Sequence, residues 1–273
     1  MFNPKTASIS LITTRHLVEF NMSAINVEKV QDAQKRAPTA SDIRHTKFEY
    51  IPSPDGVDTN VVIYLHGLGD NTSQFIELSK KLHLPQTASL VLQGPVPVPF
   101  FDEARMWYQS FDMLGNLIQN PDPRIALNLV NNVIDSLTSK CGWKHSQIHL
   151  FGFAQGASVA VEYARSSSAK LGSVVNVLGP LLSYATGTNK CETPVCIFTR
   201  PSRNVLDSSN FKKAFSEVVI YEGDKAGDEM PKDHHEWQGI LKFWSQTLTV
   251  APTSDESGNV YRVTNTNTNT NTS

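Results

Sequence analysis

The chain has 273 residues, with 24 lysines and arginines against 26 aspartates and glutamates, for a formal charge of −2. That length suits one large α/β domain or two small ones, and a near-neutral charge without a long basic run excludes a general binder of nucleic acid or anionic membrane, which needs clustered Lys and Arg. Cys141, Cys191 and Cys196 are too few for a disulfide frame and lack metal-ligand spacing, so they read as reduced thiols; no apolar run approaches the ~20 residues that span a bilayer, so a soluble chain is expected.

Residues 1–18 lack acidic side chains and carry Lys5, Arg15 and His16 among serines and threonines. A mitochondrial presequence has that composition, and so do many unstructured tails. The expectation is a cytoplasmic protein, with the mitochondrion as the alternative. Val27, Val30 and Ala33 start a helical pattern that fades by residue 40. Residues 1–44 therefore read as a partly disordered extension, 45–250 as one domain, and 251–273 as a disordered Thr/Asn-rich tail with nothing to bury.

Strands and helices alternate through the middle. Residues 47–51 read as a strand closed by Pro52 and the turn at Pro54, Asp55 and Gly56. The apolar run 61–65 reads as a strand covered on both faces. Residues 70–73 offer caps for a helix over 74–82. A strand at 89–92 ends at Gly94 and Pro95, and 95–115 then reads as a long loop. Apolar residues at helical spacing (Ile125, Leu129, Val133, Leu137) predict a helix over 125–138. Further strands are expected at 148–151, 174–178, 195–199 and 218–221, with helices over 155–165, around 211–215 and over 235–248. Such alternation gives a mostly parallel sheet with helices on both faces, and ligands at the carboxyl ends of its strands.

Two motifs carry chemistry. After the strand at 148–151 stands Gly152-Phe-Ala-Gln-Gly156, then a helix. A nucleophile elbow of the Gly-x-Ser-x-Gly type has that context, with small residues two positions either side of a strained centre, but the centre here is Ala154. Alone, the pattern equally describes a plain strand-to-helix turn. The second motif is the strand that runs into Leu65-His-Gly-Leu-Gly-Asp70. With both in hand, the chain resembles the acyl-protein thioesterase and lysophospholipase-like carboxylesterases of the α/β-hydrolase fold. These carry Leu-His-Gly-Leu-Gly-Asp after a strand and Gly-Phe-Ser-Gln-Gly later, and the resemblance covers all but the two ends.

The resemblance implies a serine esterase whose nucleophile position holds Ala154. It implies oxyanion donors at the backbone N–H groups of Leu68 and Gln155, which do not depend on side chains. His66 is expected to brace its loop by hydrogen bonding. The triad order of serine, acid, histidine sets Asn204 at the acid position, with Asp207 three residues on, and His234 or His235 as candidate base. Asp233 and Glu236 also fit a helix-capping box, in which case both histidines are ordinary first-turn residues. An amide in place of the acid costs ~10⁴ in turnover and loss of the serine ~10⁶. Phe100, Phe101, Met106 and Trp107 are expected at a substrate groove, with burial under a long loop as the plain alternative; Arg105 is expected to pair with Asp102 or Asp112.

Three functions follow from this reading. The first is a pseudoenzyme holding a small ester or thioester, a lipid or an acylated protein without turnover. The second is a weak hydrolase driven by His234 or His235 and a water. The third is an interaction protein with a closed pocket. No metal, organic cofactor or nucleic-acid partner is expected, and oligomeric state is left open by the sequence.

Overall fold

The apolar runs of β-branched residues become strands buried on both faces. The computed structural model describes residues 25–29, 35–44, 46–185, 189–201, 207–251 and 261–265. Packing divides the chain into Ala33–Ala251 and a small unit made from its two ends. In the small unit β1 (Ile25–Lys29) pairs antiparallel with β11 (Tyr261–Asn265), Val27 opposite Val263. This corrects the helical pattern expected from Val27 and the fully unstructured tail. Strand pairing supplies hydrogen-bond partners from a segment more than two hundred residues away, which local periodicity does not register.

In the larger unit, β2 (Phe48–Ile51), β3 (Asn60–Leu65), α1 (Thr72–Leu82) and β4 (Thr87–Leu92) come first. The hairpin β5 (Val96–Val98) and β6 (Phe101–Met106) follows, then α2 (Arg124–Lys140). Next are β7 (Ile148–Phe153), α3 (Gln155–Ser166), β8 (Ser173–Val177) and β9 (Val195–Thr199). The domain closes with α4 (Ser208–Ala214), β10 (Val218–Glu222) and α5 (His234–Thr247). The seven-stranded sheet has the order β10-β9-β8-β7-β3-β4-β2, parallel throughout except for the edge strand β2.

Alternation along β3 shows how the core divides. Val61, Ile63 and Leu65 face a layer built by α2 and α3 with Val130, Ile134, Val159 and Ala160. Val62 and Tyr64 face the opposite layer, where α1 and α5 supply Phe75, Ile240, Phe243 and Trp244. Period-two side chains buried on both sides explain the unbroken apolar run that made the strand legible. The stretch 95–115, expected as loop, contains the β5–β6 hairpin, because Pro97 and Pro99 sit at positions that a two-stranded edge tolerates.

Candidate functional site

The end of β3, the turn between β7 and α3, and the start of α3 meet at the carboxyl edge of the sheet. Ala154 makes that turn with φ 48° and ψ −112°, a conformation that non-glycine residues seldom adopt and that costs ~1–3 kcal/mol. Its neighbours permit the turn. A Cβ on Gly156 would stand 2.3 Å from the Leu65 carbonyl oxygen, and one on Gly152 would stand 2.4 Å from the Cα of Ala157. Only glycine lets the helix start press against the end of β3.

His66 is fully buried, and its ring is fixed at both nitrogens. The Gly94 N–H donates to Nε2 at 2.9 Å, so Nδ1 carries the proton and donates to the Gly67 carbonyl at 2.7 Å. Burial pulls its pKa below the ordinary histidine value. It is thus a neutral brace that ties the loop after β3 to the loop after β4. The Trp107 indole N–H donates to the His66 carbonyl at 2.8 Å, and the Trp107 backbone N–H donates to the Gln155 side-chain oxygen at 2.6 Å. The Gln155 amide donates in turn to the Tyr108 carbonyl and the Ser110 hydroxyl. Gln155 therefore clamps the 107–110 segment over the turn, a role the sequence reading did not give its side chain.

Leu68 is 40% exposed, and the backbone N–H groups of Leu68 and Gln155 have no acceptor among the described residues. Both adjacent N–H groups on the loop are committed: Gly67 donates to Asp70, and Gly69 to the Arg105 carbonyl. Two unpaired donors thus stand on either side of the turn, at the loop after β3 and at the N-terminus of α3.

The four residues expected at a groove do not make one surface. Trp107 has no exposed area and Met106 is buried, corrections that follow from the indole's hydrogen bond beneath the loop. Phe100 and Phe101 instead project from the β5–β6 hairpin, 103% and 65% exposed. Arg105 forms no ion pair among the described residues. The Asp112 carboxylate instead accepts from Leu114, Asn116 and the Asn116 amide in its own turn.

The strands β9 and β10 end differently. Asn204 lies outside the described residues. Asp207 caps α4, accepting from the backbone of Ser209 and Asn210, and touches neither histidine. His234 and His235 open α5 and are exposed; among the described residues, their one carboxylate neighbour is Asp224, 3.6 Å from His235 Nδ1. The loop after β10, residues 223–233, holds no histidine. Asp233 accepts from the Glu236 N–H at 3.0 Å as the capping box requires, but Glu236 does not return the bond to Asp233.

Glu236 is committed elsewhere. Its carboxylate receives the two terminal nitrogens of Arg200 at 2.5 and 2.7 Å, and the Lys232 N–H at 2.7 Å. The two side chains are 2% and 7% exposed. Arg200 also donates to the carbonyls of Lys225, Glu229 and Met230, which wraps the loop after β10 around one guanidinium. Arg200 holds the Glu236 carboxyl down at about 2. The sequence reading missed this clamp, since nothing in local spacing links charges 36 positions apart.

A parallel sheet with this strand order, a strained strand-to-helix turn and a backbone-lined loop beside it define an α/β-hydrolase. The phospholipase/carboxylesterase family matches residues 46–249, and the chain belongs to that family. An uncharacterised hydrolase of Mycosarcoma maydis is 37% identical over 82% of this chain and 90% of its own length. One of Schizosaccharomyces pombe is 32% identical over 75% and 90%. Acyl-protein thioesterase 1 of Cryptococcus neoformans is 28% identical over 50% of this chain and 58% of that protein. Among solved structures, the Bacillus cereus carboxylesterase superposes with a TM-score of 0.63 at 14% identity, covering 77% of this chain and 98% of that one. The Zea mays acyl-protein thioesterase 2 gives 0.57 at 18%, covering 74% and 99%; these two show the fold. No helix among the described residues is long and apolar enough to cross a membrane.

Proposed function

We propose that this chain binds a carbonyl-bearing acyl, ester or thioester ligand, free or on an acylated protein, at the turn around Ala154 and does not turn it over efficiently. The observation that carries the reading is the backbone of Ala154. A strained elbow is kept there with a methyl group at its centre. Beside it stand the unpaired N–H groups of Leu68 and Gln155, suited to a carbonyl or carboxylate oxygen. Alanine has no atom to attack an acyl group, and a water would need a base oriented by an acid. Asp207 is occupied as a helix cap, and both candidate histidines face solvent, which weakens the water-driven alternative.

A closed pocket with function transferred to the surface is favoured by one observation. The Gln155 side chain binds Trp107, Tyr108 and Ser110 over the turn, and Met106 and Trp107 are buried there. One experiment separates the readings. Octanoate is titrated calorimetrically into the wild type and Leu68→Pro, alongside hydrolysis of a short-chain thioester by the wild type and Ala154→Ser. We expect octanoate to bind the wild type at least ~10-fold tighter than the proline variant, whose N–H is gone. Neither hydrolysis sample is expected to show efficient turnover. No octanoate binding sinks the ligand reading in favour of the closed pocket, and wild-type turnover lost in a His234→Ala/His235→Ala variant sinks the binding-only one.

A further inference from the structure

The tip of the β5–β6 hairpin bears an apolar side chain where both backbone and solvent disfavour it. Val98 pairs with Phe101, so Pro99 and Phe100 are the two turn residues. Phe100 has φ 69°, and its side chain is wholly in solvent. A turn with proline first and positive φ second favours glycine or asparagine at that second position, and a bulky ring there is strained. The neighbouring excursion at 111–117 shows the unstrained solution. It also exposes Met113 and Leu114, but Gly115 takes the positive φ of 81°. Phe100 therefore carries a backbone cost that a glycine avoids, and gains no contact within the domain in return.

The hairpin is built to hold this ring out. Pro97 restricts its first strand and Pro99 its turn, and the Arg105 N–H and carbonyl bind the Asp70 carbonyl and Gly69 N–H, which moors its second strand to the loop after β3. Phe101, 65% exposed, follows at once, and Asp102 and Glu103 bulge out beside it without a cation partner among the described residues. Two carboxylates at the tip would be pushed against the headgroups of an anionic bilayer. They complement lysine or arginine, and interface anchors are characteristically aromatic.

We propose that this tip is a docking site for a basic amphipathic segment of a partner protein, Phe100 and Phe101 entering its apolar stripe and Asp102 and Glu103 facing its flanking cations. The site is separate from the turn at Ala154, so it stands whether or not a ligand binds there.

The probes are two labelled helical peptides with the same leucine stripe, one flanked by lysines and one by glutamates, titrated into the full chain by fluorescence anisotropy. We expect the lysine peptide to bind at least ~10-fold tighter than the glutamate peptide, and Phe100→Gly to weaken it by ~10-fold or more. The same Phe100→Gly variant should melt no lower than the wild type, because glycine releases the strained backbone. Asp102→Lys/Glu103→Lys should reverse the peptide preference. Equal binding of both peptides, or no effect of Phe100→Gly, overturns the proposal. It is also overturned if Phe100 matters only for binding to neutral phosphatidylcholine vesicles, or only for self-association in sedimentation; these would identify a lipid surface or a second copy as the occupant.

Discussion

The carboxyl edge of the sheet has two halves of opposite construction. At the ends of β3 and β7, the arrangement is carried by backbone: a strained turn, two unpaired N–H groups, and a neutral His66 holding two loops together. At the ends of β9 and β10, it is carried by side-chain charge, with Arg200 and Glu236 locked together beneath a loop that has no histidine. A backbone device survives any side chain that fits its φ and ψ, which is how a methyl group can occupy an elbow. An acid–base pair has no such latitude, since its chemistry is the side chains themselves. The difference teaches that hydrolase-like shape and hydrolase chemistry are separable properties of one edge.

The comparison breaks most visibly at the charged half. Glu236→Gln strands a buried guanidinium, and unfolding in urea should show a loss of ~3–5 kcal/mol, while Arg200→Met/Glu236→Leu, which removes both charges, should recover most of it. If the single change costs no more than a surface pair, the clamp is not what orders the loop after β10.

Acid acts on the domain in two ranges of pH, the first through a histidine at the opposite, amino edge of the sheet. His149 on β7 is fully buried, bonded through Nδ1 to the Ser173 hydroxyl at 2.8 Å, and burial pulls it down to about 4. The folded chain refuses a proton that the unfolded chain accepts below about 6.5, so stability falls with pH from there and levels off near 4. At pH 5 the loss should be about 2 kcal/mol, read from denaturant midpoints between pH 7 and 5 and absent in His149→Phe. Glu236 acts lower. Its carboxylate stabilises the fold above about 4.5, and that contribution is lost as pH falls toward about 2. A stability that does not fall between about pH 6.5 and 4, or that falls equally in His149→Phe, would mean that another group controls the acid response.

The smallest effect tests the backbone half. Ala154→Gly should stabilise the domain by ~1 kcal/mol, since relief of the positive φ exceeds the added entropy of the unfolded chain. A melting temperature that falls instead would show that the turn carries no strain in solution.

Much of this was legible from the residues, for identifiable reasons. The bounds of β9 at 195–199 emerge because a five-residue apolar run between turn signals admits little else. The strand–turn–helix around Ala154 was legible because Gly152 and Gly156 mark a close approach. Burial of Met106 and Trp107 was not, because an apolar side chain reads alike over a groove and under a loop; only the bond from Trp107 to the His66 carbonyl decides it. Asp233 was recognised as a cap, yet its expected partner Glu236 is drawn away by Arg200, a choice made by tertiary structure.

The pairing of β1 with β11 has a mechanical consequence. Ile25 sits opposite Asn265, so the outward ends of both strands leave the ribbon at the same side. Tension applied between the chain's termini would load that antiparallel ladder one rung at a time, beginning at Ile25 and Asn265, and not as a sheared block. The ribbon would then open like a zipper, each rung carrying the whole load in its turn.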